Sequence, residues 1–147
     1  MKALLQRVTE AAVHVDGDCV GAIGPGLLVL LGLDKGDDLA VADKLLDKLL
    51  AYRVFGDEHG RMNLSVTDTG GGVLLVSQFT LSADTRKGLR PSFSRALPPA
   101  EAEALYQQIL SRLQDRHPTV AAGSFGADMQ VSLVNDGPVT FLLEVGG

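Results

Sequence analysis

Apolar positions along this chain follow two different periods. From Lys2 to Leu33 they fall in short runs and alternations cut by Gly, Pro and Asp, the pattern of strands. Val13-His14-Val15 and Cys19-Val20-Gly21-Ala22-Ile23 flank Asp16-Gly17, a hairpin signal. Gly24-Pro25-Gly26 marks the next turn. Leu27-Leu28-Val29-Leu30-Leu31 is too short for an independent helix and too apolar for an exposed strand, so it predicts a strand buried on both faces.

The period then changes. Leu39, Ala42, Leu45, Leu46, Leu49 and Leu50 recur at helical spacing and predict a helix over 38–51, with Asp37-Asp38 as its N-cap and negative first turn. Residues 56–72 are rich in Gly, Asp and Asn and read as loops and short pieces. Val73 to Val76 predicts another buried strand, followed by a polar, basic connection over 82–96. Pro98-Pro99 opens a second helix, with Glu101 and Glu103 near its positive end and Arg112 and Arg116 near its negative end. Its apolar stripe is Ala102, Leu105, Tyr106, Ile109 and Leu113. Met129, Val131 and Leu133 alternate with Gln130 and Ser132, a half-buried strand. Asn135-Asp136-Gly137-Pro138 reads as a turn before a last strand over 139–145.

Strands grouped in hairpins with two main helices predict an α+β fold. Its sheet is expected to be largely antiparallel or mixed, with the apolar helix faces covering it. The 147 residues suit a single domain over 1–147. A chain of about 150 residues buries roughly two thirds of its surface and needs neither disulfide nor metal to fold.

Composition narrows the function classes. The longest apolar run, Leu27 to Leu33, is far short of the roughly 20 residues that cross a membrane. The first residues hold no long apolar signal core, and the lone Cys19 has no partner in the chain. The expectation is a cytoplasmic protein with no membrane association. The net charge of −5 gives no global attraction to nucleic acid, so any RNA contact must be local. With Trp absent and aromatics scarce, no array of base-stacking side chains is expected.

Candidate chemistry is confined to a few segments. His14, His59 and His117 show no metal-ligand spacing and no nearby nucleophile, and no metal or cofactor is expected. Cys19, in a hairpin strand, reads as a small core residue. Ser77-Gln78-Phe79-Thr80-Leu81 places two hydroxyls, an amide and a ring directly after a buried strand. The bland reading of that segment is a strand end whose hydroxyls cap backbone groups. Asp84 to Arg95 carries Arg86, Lys87, Arg90 and Arg95 against one Asp, a local +3 suited to phosphate contact, or else a solvated loop. In Gly137-Pro138 the bond can be cis at modest cost, or the pair can sit in a plain turn. Arg7, inside an apolar strand, needs a partner or a route to water.

Taken together, these segments resemble the D-aminoacyl-tRNA deacylase family. The likeness spans essentially the whole chain. It is carried by Leu5-Gln6-Arg7-Val8-Thr9, Met62-Asn63-Leu64-Ser65-Val66, Ser77-Gln78-Phe79-Thr80-Leu81, Thr85-Arg86-Lys87-Gly88 with Arg90-Pro91-Ser92-Phe93, Phe125-Gly126-Ala127-Asp128-Met129-Gln130-Val131-Ser132-Leu133-Val134, and Asn135-Asp136-Gly137-Pro138-Val139-Thr140. The resemblance implies a barrel-like, homodimeric hydrolase. Its implied reaction cleaves the ester between a D-amino acid, or mischarged glycine, and tRNA, as a proofreading step. The implied active sites lie at the dimer interface, with a cis Gly137-Pro138 reaching into the partner's pocket. Ser77, Gln78, Phe125 and Met129 would bind the terminal adenosine and line the pocket. Arg7 would support the Gly137-Pro138 loop, and Arg86, Lys87 and Arg90 are candidates for tRNA contact. Two mechanisms remain open: attack by Thr80, or attack by water with amides around Phe79 and Thr80 stabilising the charge. The absence of a visible base for Thr80 favours water. Alternative functions are a non-enzymatic RNA-binding module and a generic hydrolase of small esters.

Overall fold

A computed structural model of the chain describes residues 1–146. Its long first strand β1 (Lys2–Val15) is the spine of a mixed sheet. Along one edge of β1 runs the last strand, β8 (Gln130–Glu144), antiparallel to it. Along the other edge lie β3 (Gly26–Gly32), against the first half of β1, and β2 (Asp18–Ile23), against the second half. Asp16 and Gly17 both take positive φ at the β1–β2 turn, as a tight hairpin turn requires.

From β3 the sheet continues in parallel order through β6 (Gly72–Ser77) to β7 (Val120–Ala122). β7 returns against β2, where Gly21 lies directly on the Ala122 backbone, and the sheet is nearly closed into a barrel. Outside it pack α1 (Leu39–Ala51) and α3 (Pro99–Arg116).

This arrangement explains the apolar runs. Leu27, Val29 and Leu31 of β3 and Val73 and Leu75 of β6 join a core with Leu45, Leu46 and Leu49 of α1 and Tyr106, Ile109 and Leu113 of α3. Leu28, Leu74 and Val76 face the other way, into a barrel interior with Val8, Ala11, Val13 and Ile23. Both strand faces are therefore dry, so no polar position alternates with the apolar ones. The two helices are also tied by charge: Arg112 reaches Asp43 at 2.6 Å, and Arg116 reaches Asp43 at 3.0 Å and Asp47 at 3.2 Å. Hydrogen bonding from Arg112 holds the Asp43 carboxyl below the usual carboxylate range.

Several expectations change. Asp38 alone is the N-cap of α1, accepting the Val41 N–H at 3.0 Å. Asp37 stands outside the helix, where its carboxylate takes the Met1 ammonium at 3.0 Å and the Asp34 N–H at 2.8 Å. The 56–72 region includes a short hairpin, β4 (Phe55–Gly56) with β5 (Met62–Leu64), and a third, short helix α2 (Val66–Thr69). A reciprocal capping box between Ser65 and Asp68 starts α2, a signal the polar composition concealed. Cys19 is exposed rather than a core residue.

Asn135 to Pro138 does not separate two strands. It is a bulge within continuous β8: Gln6 pairs with Thr140 and Val8 with Asn135, so the residues between loop out. A turn-like sequence can interrupt a ladder without ending it when β1 supplies partners on both sides.

Leu28→Ala should lower unfolding stability by about 2–5 kcal/mol, because the barrel interior around it is closed and cannot collapse freely. Urea denaturation followed by circular dichroism measures this. A loss below about 1 kcal/mol would contradict the packed interior.

Candidate functional site

The β3–β6 ladder ends with Leu31 opposite Ser77, and the Gln78 N–H adds one more bond to the Leu31 carbonyl at 2.8 Å. The chain then tightens into a 3-10 turn over Phe79–Ser82. Three contacts fix this turn. The Ser82 hydroxyl donates to the Leu33 carbonyl at 3.2 Å, and Lys2 Nζ donates to the Leu81 carbonyl at 3.4 Å. Beneath it lies Gly32, where a Cβ would stand 2.8 Å from the Leu81 Cβ, closer than carbon atoms approach. Only a residue without a side chain lets the turn lie this close to β3.

The turn forms one wall of a cleft of about 630 Å³. Ser77 at the end of β6 and Gln78 and Phe79 at the start of the turn line it, and Phe125 and Met129 line it from the segment before β8. Phe125 rests on Tyr106, with ring centroids 5.8 Å apart. The Tyr106 hydroxyl in turn donates to the Leu75 carbonyl at 2.8 Å, and burial pushes its pKa up to about 12. The Ser124 N–H donates to the Met129 sulfur at 3.4 Å. The cleft is mostly apolar with a few polar groups at its rim, the usual make-up of a small-molecule site.

The hydroxyls do not cap backbone groups, contrary to the bland reading. Thr80 Oγ1 accepts a short hydrogen bond from Gln78 Nε2. No carboxylate, imidazole or amine bonds to that hydroxyl among the described residues. The Phe79 and Thr80 N–H groups open the 3-10 turn, before its first bond from the Leu81 N–H to the Gln78 carbonyl. They have no acceptor among the described residues. Two free donors thus stand beside the cleft, the arrangement that can receive a developing oxyanion.

The second motif stands elsewhere. Gly137-Pro138 is cis, and both residues are exposed on the β8 bulge. Neither lines the cleft. The bulge is braced by its own residues and by Arg7. Val139 N–H donates to Asn135 Oδ1 at 2.9 Å, and Asn135 Nδ2 donates to Thr140 Oγ1 at 3.0 Å. Arg7, at the break in the β1–β8 register, donates from Nε to the Asp136 carbonyl at 2.8 Å and from Nη1 to the Val54 carbonyl at 2.7 Å.

In the basic loop, Arg86 is bound to Asp84 through Nε at 3.0 Å and Nη2 at 2.9 Å. That pairing drives the Asp84 carboxyl far below its ordinary range. Lys87 and Arg90 are exposed and make no side-chain bond among the described residues. The histidines lie away from the cleft: His117 is buried with Nε2 2.7 Å from the Gly71 carbonyl, His59 is on the exposed hairpin, and His14 is in β1. No cluster of metal-binding side chains occurs among the described residues.

Phe93 and Lys35 also line the cleft, and the sequence pattern gave neither of them a role. Phe93 packs on Phe79 with ring centroids 5.1 Å apart, and Lys35 lines the cleft from the connection after β3. The usable signal for Lys35 is that ligands gather beyond the carboxyl ends of parallel strands, and β3 and β6 are such a pair.

Tyr106→Phe should cost about 1 kcal/mol near neutral pH, because the Leu75 carbonyl keeps its ladder bond from the Gly123 N–H. Its effect on alkaline stability is larger in kind. An unfolded tyrosine ionises near 10 and the buried one near 12, so between those values the folded state holds a proton the unfolded state has lost. Stability falls as pH rises through that window, and the Phe variant should lose this part of the fall. Equal alkaline slopes for both proteins in denaturant titrations would contradict it.

Comparisons with known proteins agree with this geometry. Residues 4–144 match the family described as D-Tyr-tRNA(Tyr) deacylase. A D-aminoacyl-tRNA deacylase of Stutzerimonas stutzeri (strain A1501) is 69% identical over 144 residues, covering 98% of this chain and 99% of that protein. The solved c-Myc DNA unwinding element binding protein is 43% identical, with a TM-score of 0.96 and full coverage of both chains. A probable eukaryotic D-amino acid tRNA deacylase, at 17% identity, shares the fold with a TM-score of 0.79 over 97% of each chain. The chain belongs to the D-aminoacyl-tRNA deacylase family of hydrolases.

Proposed function

We propose that this protein removes D-amino acids, and mischarged glycine, from tRNA by hydrolysing the ester to the terminal adenosine. The observation that carries the reading is the pair of unpartnered Phe79 and Thr80 amides beside an apolar cleft. An aminoacyl ester is already activated, so a positioned water suffices as nucleophile. The two amides stabilise the oxyanion as water adds to the carbonyl; the acyl C–O3′ bond then breaks, and the water's proton passes through the ribose 2′-hydroxyl to the departing 3′-oxygen. Thr80 has no base to activate it, and its oxygen already accepts from Gln78. Ser77 and Gln78 hold the adenosine, Phe125 packs near its base, and Met129 lines the pocket.

Chirality needs an obstacle, because L- and D-amino acids offer the same groups to attraction. We assign that role to Gly137-Pro138 of a second copy, entering the cleft of the first. The exposure of the braced bulge supports this assignment. So do the open outer edge of β8 and the exposed apolar side chains Val134, Phe141 and Leu142 along that strand. Glycine has no side chain to strike the obstacle and passes. In this reading the protein is a cytoplasmic homodimer that recycles mischarged tRNA in translation quality control.

A second reading, a nucleic-acid-binding module without catalysis, is favoured by the name of one 43% identical relative, which refers to a DNA element. Turnover separates the two. Substoichiometric protein should release D-tyrosine from D-Tyr-tRNA over many cycles and leave L-Tyr-tRNA intact. Release limited to one equivalent, or none, would reject the deacylase.

Thr80→Ala should keep substantial activity, within about tenfold of wild type, whereas loss of a true nucleophile costs several orders of magnitude. Single-turnover rates at saturating enzyme decide between them. Replacing Arg86, Lys87 and Arg90 together by Ala should weaken tRNA binding and flatten its salt dependence. The slope should fall by about 0.7–0.9 for each phosphate that is no longer neutralised, with Arg86 contributing least because Asp84 occupies it. An unchanged slope would assign the loop a purely structural role.

A further inference from the structure

Among the described residues, Lys35 is the one charged side chain lining the 630 Å³ cleft. It is exposed, and its ammonium makes no hydrogen bond or ion pair with any of them. Its backbone is nevertheless fixed. The Lys35 N–H donates to the Arg95 carbonyl at 2.9 Å, and the Leu97 N–H donates to the Leu33 carbonyl at 3.0 Å. These bonds hold the connection after β3 against the 95–97 segment, at the cleft's edge.

The carboxylates beside Lys35 in sequence have other partners. Asp37 takes the Met1 ammonium and the Asp34 N–H. Asp34 faces that ammonium at 3.7 Å and Lys2 at 4.0 Å. Asp38 caps α1. The Lys35 charge is therefore uncompensated, in a chain whose net charge is −5.

We propose that Lys35 binds the phosphodiester on the 5′ side of the terminal adenosine. The proposal rests on the reading of the cleft as that adenosine's seat. Base and ribose are neutral. The bound end of a charged tRNA carries only two charged groups near the cleft, the amino acid's ammonium and that phosphate. A lysine attracts the phosphate and repels the ammonium. It thereby sets the direction of the nucleotide, phosphate towards the β3–α1 connection and ester towards the Phe79 and Thr80 amides. Lys35 is a substrate-binding residue in this account, with no part in bond breaking.

The test uses two small substrates, 3′-O-D-tyrosyl-adenosine and the same compound carrying a 5′-methylphosphate diester. The full-length wild type should turn over both, with a KM about tenfold lower for the phosphate-bearing compound, the size expected of one charged hydrogen bond. Lys35→Gln should erase that difference by raising the KM of the phosphate compound about tenfold, with kcat and the nucleoside kinetics unchanged. Lys35→Arg should keep most of the difference. Equal KM values for the two compounds in wild type, or a loss in Lys35→Gln that falls equally on both, would overturn the proposal while leaving the deacylase reading intact. Absence of turnover of either compound by wild type would overturn that reading and the proposal with it.

Discussion

The hydrogen bond from the Gln78 N–H to the Leu31 carbonyl extends the parallel pairing of β3 and β6 one residue past Ser77, and the chain turns sharply from there. Everything at the candidate site depends on this junction. The strands are held from both sides, by the α1 and α3 core on one face and the barrel interior on the other. Such a pair has almost no freedom to slide, because a shift in register would move a whole apolar set out of its layer. The 3-10 turn that follows inherits that rigidity. Gly32 lets the turn sit against β3, and Ser82 and Lys2 tie it there. The Phe79 and Thr80 amides are thereby fixed in direction without being used by the fold.

In the proposed reaction, such an arrangement suits hydrolysis of an activated ester. Two preorganised donors need no titration, no metal and no activated nucleophile, only a wall that keeps them aimed. The cleft supplies the wall. Tyr106 links it to the ladder, bonding the Leu75 carbonyl below and carrying Phe125 above. The two motifs lie apart within one chain, Ser77–Thr80 at the cleft and Gly137-Pro138 on a braced bulge of β8. In the proposed reading, a site needing both would be completed by a second copy.

The sequence was most informative where one physical demand dominates. Continuous apolar runs marked β3 and β6 as strands dry on both faces, and period 3.6 marked every buried position of α3. It was least informative where a local signal answers to a distant partner. Asn135 to Pro138 has turn chemistry, yet β1 continues to pair on either side and keeps it within one strand. Asp37 has the composition of a helix first turn, yet the Met1 ammonium claims it from across the fold. The site motif Ser77–Thr80 was visible as polar groups after a buried strand. Its free amides were not, because they depend on where the 3-10 turn begins. Lys35 escaped notice for a similar reason: only the parallel neighbourhood of β3 and β6 brings it to the cleft.

The most direct test of the central claim is a crystal structure with a D-amino acid joined to 3′-amino-3′-deoxyadenosine through an amide that resists hydrolysis. The carbonyl oxygen should lie about 2.7–3.1 Å from the Phe79 and Thr80 nitrogens, with the adenosine in the cleft lined by Gln78, Phe125 and Met129. A carbonyl carbon seated on Thr80 Oγ1, with its oxygen pointing away from both amides, would contradict the account.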